Sequence, residues 1–371
     1  MRHGLLLVMS TIFKVRGGIP RFNQLLCLAL DQLCPVLDLR VHVVSQDDSI
    51  DDYRGHGEPW QHARFVPGGG RLGLIGRSIA TCARERPDLM LIGLLGMTPL
   101  GLPCLPFVRG GYGFVAHGTE SWHEKRWSRR FAARRARFAF AVSRDTARAL
   151  TRSTGLSPGA IRLMPNTLSP DFQTTPAAPS SARGPESLEL LTVARLWAEQ
   201  GMKGVDHTIQ AVARLVDRYP DLRYRIVGKG SDKPRLMQLA QSLGLGERVV
   251  FEQDLTDEQL VEAYSRCTAY VMPSGQEGFG IVFLEAMRYA KPCIGGNAGG
   301  TPEVIEDGRT GFLVPFGDVD RLVTALASLL GDADLRRTLG EAGRVRLLEH
   351  FTFDRFRDRL EGYLRELLPQ D

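Results

Sequence analysis

Short apolar runs, each followed by small turn residues and then by a segment whose apolar positions recur at helical spacing, repeat along the chain. Leu5–Val8, Val41–Ser45, Tyr112–Ala116 and Ile161–Met164 predict strands in the first half. Leu188–Val193, Tyr224–Val227, Val249–Glu252, Ala269–Met272 and Gly308–Val314 predict them in the second. Between them, Phe22–Leu33, Leu74–Arg84, Val205–Arg218, Leu255–Arg266, Ile281–Tyr289 and Asp318–Leu330 carry helical periodicity. Apolar strands alternating with amphipathic helices mean parallel sheets covered on both faces. The pattern lapses at Gln173–Pro185, where proline, alanine and serine leave no apolar period. The chain therefore reads as α/β, with one doubly wound Rossmann-like domain over residues 1–172, a linker over 173–185 and a second such domain over 186–352, facing each other across a cleft. An amphipathic helix from Asp354 to Leu368, within the final segment 353–371, is expected to cross back to the first domain.

Composition is that of an ordinary globular protein, 43% apolar and 24% charged over 371 residues, enough for two cores. Charge changes the picture more. Residues 1–170 hold 23 Lys and Arg against 12 Asp and Glu, whereas the remainder holds 24 against 30. A basic first half implies an anionic partner, a membrane surface or an acidic substrate, and no recognition motif points to nucleic acid. The cysteines at 27, 34, 82, 104, 267 and 293 show neither CxxC nor metal spacing and predict buried thiols in a reducing compartment. Leu5–Met9 is too short an apolar run for a secretory leader. Leu89–Val108 is free of charge, yet Pro99, Pro103 and Pro106 make it a strand, a loop and a short buried helix rather than a span.

Lys125–Phe140, KRWSRRFAARRARFAF, is read as one helix in which arginines alternate with aromatic residues. Two readings fit it. Arg126, Trp127, Arg129, Arg130, Arg134 and Arg137 could meet an anionic membrane or acceptor, aromatics dipping in and guanidinia on phosphate. The other reading is an amphipathic helix with its aromatics in the core and a solvated basic face.

Chemistry concentrates at Pro273–Ile305. Small turn residues follow the Ala269–Met272 strand, Gly278-Phe279-Gly280 leads into the Ile281 helix, and a second glycine turn, Gly299-Gly300-Thr301, follows the next strand. Unsatisfied N–H groups at such a helix start favour phosphate. Glu277 and Glu285 would be awkward against a phosphate but suit hydroxyl groups, so the ligand carries both phosphates and sugars. Strand-end turns at Arg195 and Lys203 can bring cations to the phosphates, and Gly17-Gly18 opens a similar strand–glycine–helix step in the first domain. His117, at a strand's carboxyl end before Gly118, stands where an α/β sheet presents functional groups; simple satisfaction by local backbone is the alternative. Asp318-Val319-Asp320 has the form of a metal-holding DxD but opens a helix, where capping explains it.

Glu277-x7-Glu285 around Gly278-Phe279-Gly280, with Pro292 and Gly299-Gly300-x-x-Glu303 behind it, resembles the retaining glycosyltransferases of family 4, and the likeness covers most of the chain. The resemblance implies the GT-B fold and transfer of a hexose from a UDP- or GDP-sugar to an acceptor hydroxyl, with retention and without metal or a tightly bound cofactor. It implies that Glu277 holds sugar hydroxyls and Glu285 the ribose. Arg195 and Lys203 would neutralise the diphosphate, with Gly17 and Gly18 opposite. The backbone of Gly278, Phe279, Gly280 and Ile281 would line the donor, Gly228 and Phe251 would lie near the nucleotide, and His117 would face the reacting sugar. The chain departs from the commonest pattern in its longer gap between Arg195 and Lys203 and in Gln253, where glycine is usual. The expected acceptor is a saccharide or lipid-linked saccharide of cell-surface polysaccharide or glycolipid assembly, met in the cytoplasm at the inner membrane face. A phosphorylase or epimerase on the same fold, or an inactive nucleotide-sugar-binding protein at the membrane, would share these features.

Overall fold

Parallel strands, the central ones buried along most of their length, set the architecture of both halves. The structure, a computed structural model, describes residues 3–15, 17–55, 60–122, 124–170, 188–198 and 202–369; the predicted linker 173–185 lies outside them. The chain divides into two units, Met1–Ser169 with Phe353–Asp371, and Pro170–Thr352.

In the first unit the strands are β1 (His3–Met9), β2 (Leu39–Ser45), β3 (Arg64–Pro67), β4 (Leu89–Ile92), β5 (Tyr112–Ala116), β6 (Phe138–Ala141) and β7 (Ile161–Leu163). They form one parallel sheet in the order β3-β2-β1-β4-β5-β6-β7. Strand order reverses between β1 and β4, so the crevice beyond their carboxyl ends is where such a sheet takes ligands. The final helix, Phe353–Leu367, belongs to this unit: Tyr363 donates to the Leu163 carbonyl at 3.0 Å, Arg137 donates to the Leu367 carbonyl at 2.8 Å, and Phe356 meets Phe22 edge-on at 5.6 Å.

The second unit repeats the plan with β8 (Glu189–Val193), β9 (Arg223–Val227), β10 (Val249–Glu252), β11 (Ala269–Met272), β12 (Cys293–Gly296) and β13 (Gly311–Val314) in the order β10-β9-β8-β11-β12-β13. Its reversal point lies between β8 and β11. Ile209, Tyr224, Ile226, Val271, Ile294 and Leu326 are among the side chains that fill its core.

Three expectations are corrected. Lys125–Phe140 is not one helix: the helix is Trp127–Arg135, and the chain then enters β6. Phe138 and Phe140 are fully buried beside Ala139 and Ala141, since a strand inside a parallel sheet is covered on both faces. The spacing from Phe131 to Phe138 matched a helical repeat by coincidence. Trp127 and Phe131, expected in the core on one reading, are 78% and 45% exposed. The segment from Gln46 to Gly57, whose acidic residues predict a surface loop, instead contains the helix Ile50–Gly55 and a buried carboxylate, Asp48. Strand β3 carried no signal strong enough to be read. Leu89–Val108 does become a strand followed by short helical turns, and among the described residues no helix is long and apolar enough to cross a membrane. All six cysteines are buried, and none is in a disulfide. Asp318 caps the helix Val319–Gly331, accepting from the Arg321 N–H at 3.0 Å.

Asp48 shapes the crevice end of the first sheet. Its carboxylate accepts from the backbone N–H groups of Ile12 at 2.6 Å, Phe13 at 2.9 Å and Lys14 at 2.7 Å, and from the Ser45 hydroxyl. One buried anion thus fixes the turn after β1 by satisfying donors that would otherwise lack partners. Replacing it strands those donors, at about 1–3 kcal/mol for an unsatisfied buried group. Asp48→Ala should therefore lower the stability of the first unit by about 3 kcal/mol, read as a shifted denaturant midpoint with unchanged slope. A shift below about 0.5 kcal/mol, the range of ordinary surface substitutions, would show that the turn holds without it.

Candidate active site

The second unit gathers most of the predicted chemistry at its reversal point. The segment after β11 runs Pro273 to Gly280 and is gripped on both sides by backbone that comes too close for side chains. On one side Gly275 N–H donates to the Met202 carbonyl at 2.8 Å, and a Cβ on Gly204 would stand 2.5 Å from the Pro273 carbonyl oxygen. On the other, Gly300 N–H donates to the Glu277 carbonyl at 2.7 Å, while Cβ atoms on Gly299 and Gly300 would lie 2.3 Å from the carbonyl oxygens of Glu277 and Gly278. Gly299 also has φ +62°, a left-handed conformation that costs a larger residue. The glycines at 299 and 300 are therefore needed to seat Glu277.

Glu277 then meets Lys203. Lys203 Nζ lies 2.5 Å from Glu277 Oε2, with both side chains about four-fifths buried. Lys203 and Arg195 line one shallow, open groove together with Trp197, Asp206, Asp232 and Arg235. The helix Ile281–Arg288 starts at Gly280, which has φ +90° and no side chain to cap the first turn. Its N–H groups give that end partial positive charge. Phe279 packs its ring against Phe351 at 5.6 Å, so it can offer a ligand backbone only.

Glu285, one turn into this helix, accepts a 2.6 Å hydrogen bond from the Tyr264 hydroxyl. Burial first, and the Glu285 charge second, push the Tyr264 phenol well above its ordinary range, so it stays protonated and donates. Sequence reasoning did not single out Tyr264. Its position on the helix Asp257–Arg266 reads as core, and Tyr289 stacks on it at 6.2 Å. Gly228 is small for a structural reason, because a Cβ there would overlap the Ala194 carbonyl next to Arg195. Phe251 is half-buried and packs on the unit's core. Arg195 itself is exposed.

In the first unit, Gly17 and Gly18 are exposed at the start of the helix Gly18–Leu33. That helix sets Phe22 edge-on to the His117 ring at 5.0 Å. His117 Nε2 lies 3.0 Å from the Gly93 carbonyl, which can only accept, so Nε2 carries the proton and Nδ1 is left as the acceptor. Burial holds the imidazole below its ordinary pKa, against the opposing pull of Glu120 and the Gly93 bond, and keeps it neutral at pH 7. Its backbone N–H donates to Glu120 Oε1 at 2.6 Å.

The basic helix is less free than its sequence implied. Arg129 pairs with Glu124 at 3.1 Å, Arg134 donates to the Thr154 carbonyl at 2.6 Å, and Arg137 donates to the carbonyls of Gly110 and Leu367. Arg126 and Trp127 are exposed, and Arg130 is half-buried.

Residues 177–346 match the family model described as glycosyl transferases group 1. The GDP-mannose-dependent alpha-(1-6)-phosphatidylinositol monomannoside mannosyltransferase of Mycolicibacterium smegmatis is 37% identical over 174 residues, 45% of this chain and 44% of that one. A D-inositol 3-phosphate glycosyltransferase of Streptomyces bingchenggensis is 33% identical over 198 residues, 49% of this chain and 43% of that one. The chain thus spans less than half the length of these curated relatives. Among solved structures, Anabaena HepE in complex with UDP and glucose superposes with a TM-score of 0.78 at 21% identity, over 98% of this chain and 100% of that one. Sucrose-phosphate synthase of Thermosynechococcus elongatus gives 0.78 at 20% identity, over 99% of both chains. Matching sheet orders in both units and these likenesses lead to one conclusion: residues 177–346 are similar to the group 1 glycosyl transferases, and the chain has the GT-B fold.

Proposed function

We propose that this protein is a retaining glycosyltransferase that moves a hexose from a UDP- or GDP-sugar to an acceptor hydroxyl, without metal. The observation that carries the reading is the Lys203–Glu277 pair at the reversal point, beside Arg195 and an uncapped helix start. The barrier to the reaction lies in the departure of an anionic diphosphate from an oxocarbenium-like carbon. Lys203, Arg195 and the backbone N–H groups at Gly280–Ile281 oppose that charge as it develops. Lined backbone at Gly278 and Phe279 passes the donor beneath Glu277, which accepts from the sugar hydroxyls. Glu285, held by Tyr264, accepts from the ribose. The C1–oxygen bond to the diphosphate breaks as the acceptor oxygen bonds the same face of C1, and the acceptor proton passes to the departing diphosphate. In the first unit, His117, neutral with Nδ1 as acceptor, can take a hydrogen bond from a hydroxyl group, and the exposed Gly17 and Gly18 leave room for a phosphate. Gly228 and Phe251 support the nucleotide side. In this reading residues 1–172 bind the acceptor and 186–352 the nucleotide sugar.

Glu277→Gln should cut turnover by about two orders of magnitude, the usual loss for one transition-state contact, with nucleotide affinity nearly kept. Glu285→Ala should instead raise the donor KM with a smaller change in kcat, because ribose contacts act equally on ground and transition states. Steady-state kinetics with UDP- and GDP-sugars measure both. Equal and small losses in the two variants would contradict the assigned roles.

The acceptor in this reading is a saccharide on a lipid carrier, reached from an anionic membrane surface in the cytoplasm. Supporting it are the excess of Lys and Arg in residues 1–170 and the exposure of Trp127 and Phe131 beside Arg126 and Arg130. A basic residue near such a surface contributes on the order of 1 kcal/mol, so binding should be reversible and weakened by salt. The wild-type protein should sediment with anionic vesicles and not with zwitterionic ones. Arg126→Gln with Trp127→Ser and Phe131→Ser should release it, a set that spares the arginines bonded within the unit. Recovery of wild type in the supernatant with anionic vesicles at low salt would rule the surface out.

A further inference from the structure

Two large apolar side chains, one of them next to Lys203 in sequence, stand exposed over Gly275 without serving the core. Met202 and Phe316 are 41% and 40% exposed, yet both reach the same spot over Gly275. A Cβ on Gly275 would lie 2.7 Å from Met202 Cε and 2.7 Å from the nearest Phe316 ring carbon. His207 backs the Phe316 ring edge-on at 4.7 Å. Phe316 follows β13 at the edge of the sheet, whereas Met202 precedes Lys203 on the segment leading from β8. The missing side chain at Gly275 thus makes a notch that both residues fill.

We infer that Phe316 and Met202 form an apolar latch over Gly275 that sets the position of Lys203, making Phe316 a positioning residue for the diphosphate. The argument is mechanical. On one side of Lys203, the Met202 carbonyl takes the Gly275 N–H and the Met202 methyl reaches the same spot over Gly275 as the Phe316 ring. On the other, Gly204 is wedged beneath the Pro273 carbonyl with φ +71° and starts the helix Val205–Ala213. Lys203 is therefore tied to the segment carrying Glu277, and its ammonium stays within reach of both Glu277 and the groove lined by Arg195. A long, flexible lysine stem gains most from such fixing, because ordering the side chain costs rotamer entropy when ligand binds. Removing the Phe316 ring frees Met202 and lets Lys203 wander, while the exposed ring contributes little to the core.

The inference rests on the donor reading above, and the test separates the two. UDP and GDP binding is measured by calorimetry for wild type, Phe316→Ala, Phe316→Leu, Lys203→Ala and the double variant Phe316→Ala/Lys203→Ala. Wild type binds one of the nucleotides. Phe316→Ala should weaken that binding roughly tenfold, the upper part of the range for immobilising one rotamer-rich side chain on binding. Phe316→Leu should recover most of it, and melting temperatures should stay close to wild type. In the Lys203→Ala background the Phe316→Ala change should have almost no further effect, since residues acting through one another are not additive. If Phe316→Ala binds like wild type, or weakens binding equally with and without Lys203, the latch is wrong and the donor reading stands. If wild type binds neither nucleotide, the donor reading fails and takes the latch with it.

Discussion

An ion pair in a half-closed place makes demands on everything around it. Lys203 and Glu277 sit 2.5 Å apart with little solvent to screen them, so each needs the other or a substitute of the same charge character. A phosphate can replace Glu277 for the lysine, and sugar hydroxyls can replace the lysine for the carboxylate. A ligand bearing both groups can satisfy the two partners as it separates them. A ligand bearing one would leave a partly buried charge alone. On the proposed reading the pair selects for a phosphate and a polyol at one fixed spacing, and that spacing has to be held by backbone.

The two units hold their crevice segments by different means. In the second, glycines at 204, 299 and 300 let two stretches of backbone close on the Glu277 segment, with hydrogen bonds from Gly275 and Gly300 completing the grip. In the first, a single carboxylate does the equivalent work: Asp48 gathers the N–H groups of Ile12, Phe13 and Lys14. Glycine packing gives closeness and cannot be replaced by any larger residue. A carboxylate nest gives direction and tolerates varied side chains at the residues it holds. His117 is fixed by a third means, with Nε2 on the Gly93 carbonyl and Phe22 against the ring.

Much of this was legible in the sequence because it is written in local pattern. Alternating apolar runs and helical periods fixed the α/β class, and the glycine steps around Glu277 marked a phosphate-tolerant turn with carboxylates. Trp127 to Phe140 misled because a strand with alternating phenylalanine and alanine can extend a helical period by chance, and only sheet neighbours decide between them. Asp48 was hidden because its partners are backbone groups from a distant turn, which no spacing reveals. Tyr264 and Phe316 were hidden in the same way: one looks like core, the other like an exposed loop residue, and each gains meaning only from Glu285 or Gly275 beside it. Arg129, Arg134 and Arg137 show the reverse failure, a charge run whose members are partly consumed by intramolecular bonds.

The central claim is that a diphosphate and a sugar take over the Lys203–Glu277 pair. A crystal structure of the protein soaked with the nucleoside diphosphate that it binds together with a hexose tests this most directly. The account predicts a phosphate oxygen within hydrogen-bond distance of Lys203 Nζ, about 2.7–2.9 Å for a charge-assisted contact, with the lysine drawn off Glu277 and the backbone of the Glu277 segment unmoved. An intact Lys203–Glu277 pair with the diphosphate bound elsewhere would contradict it.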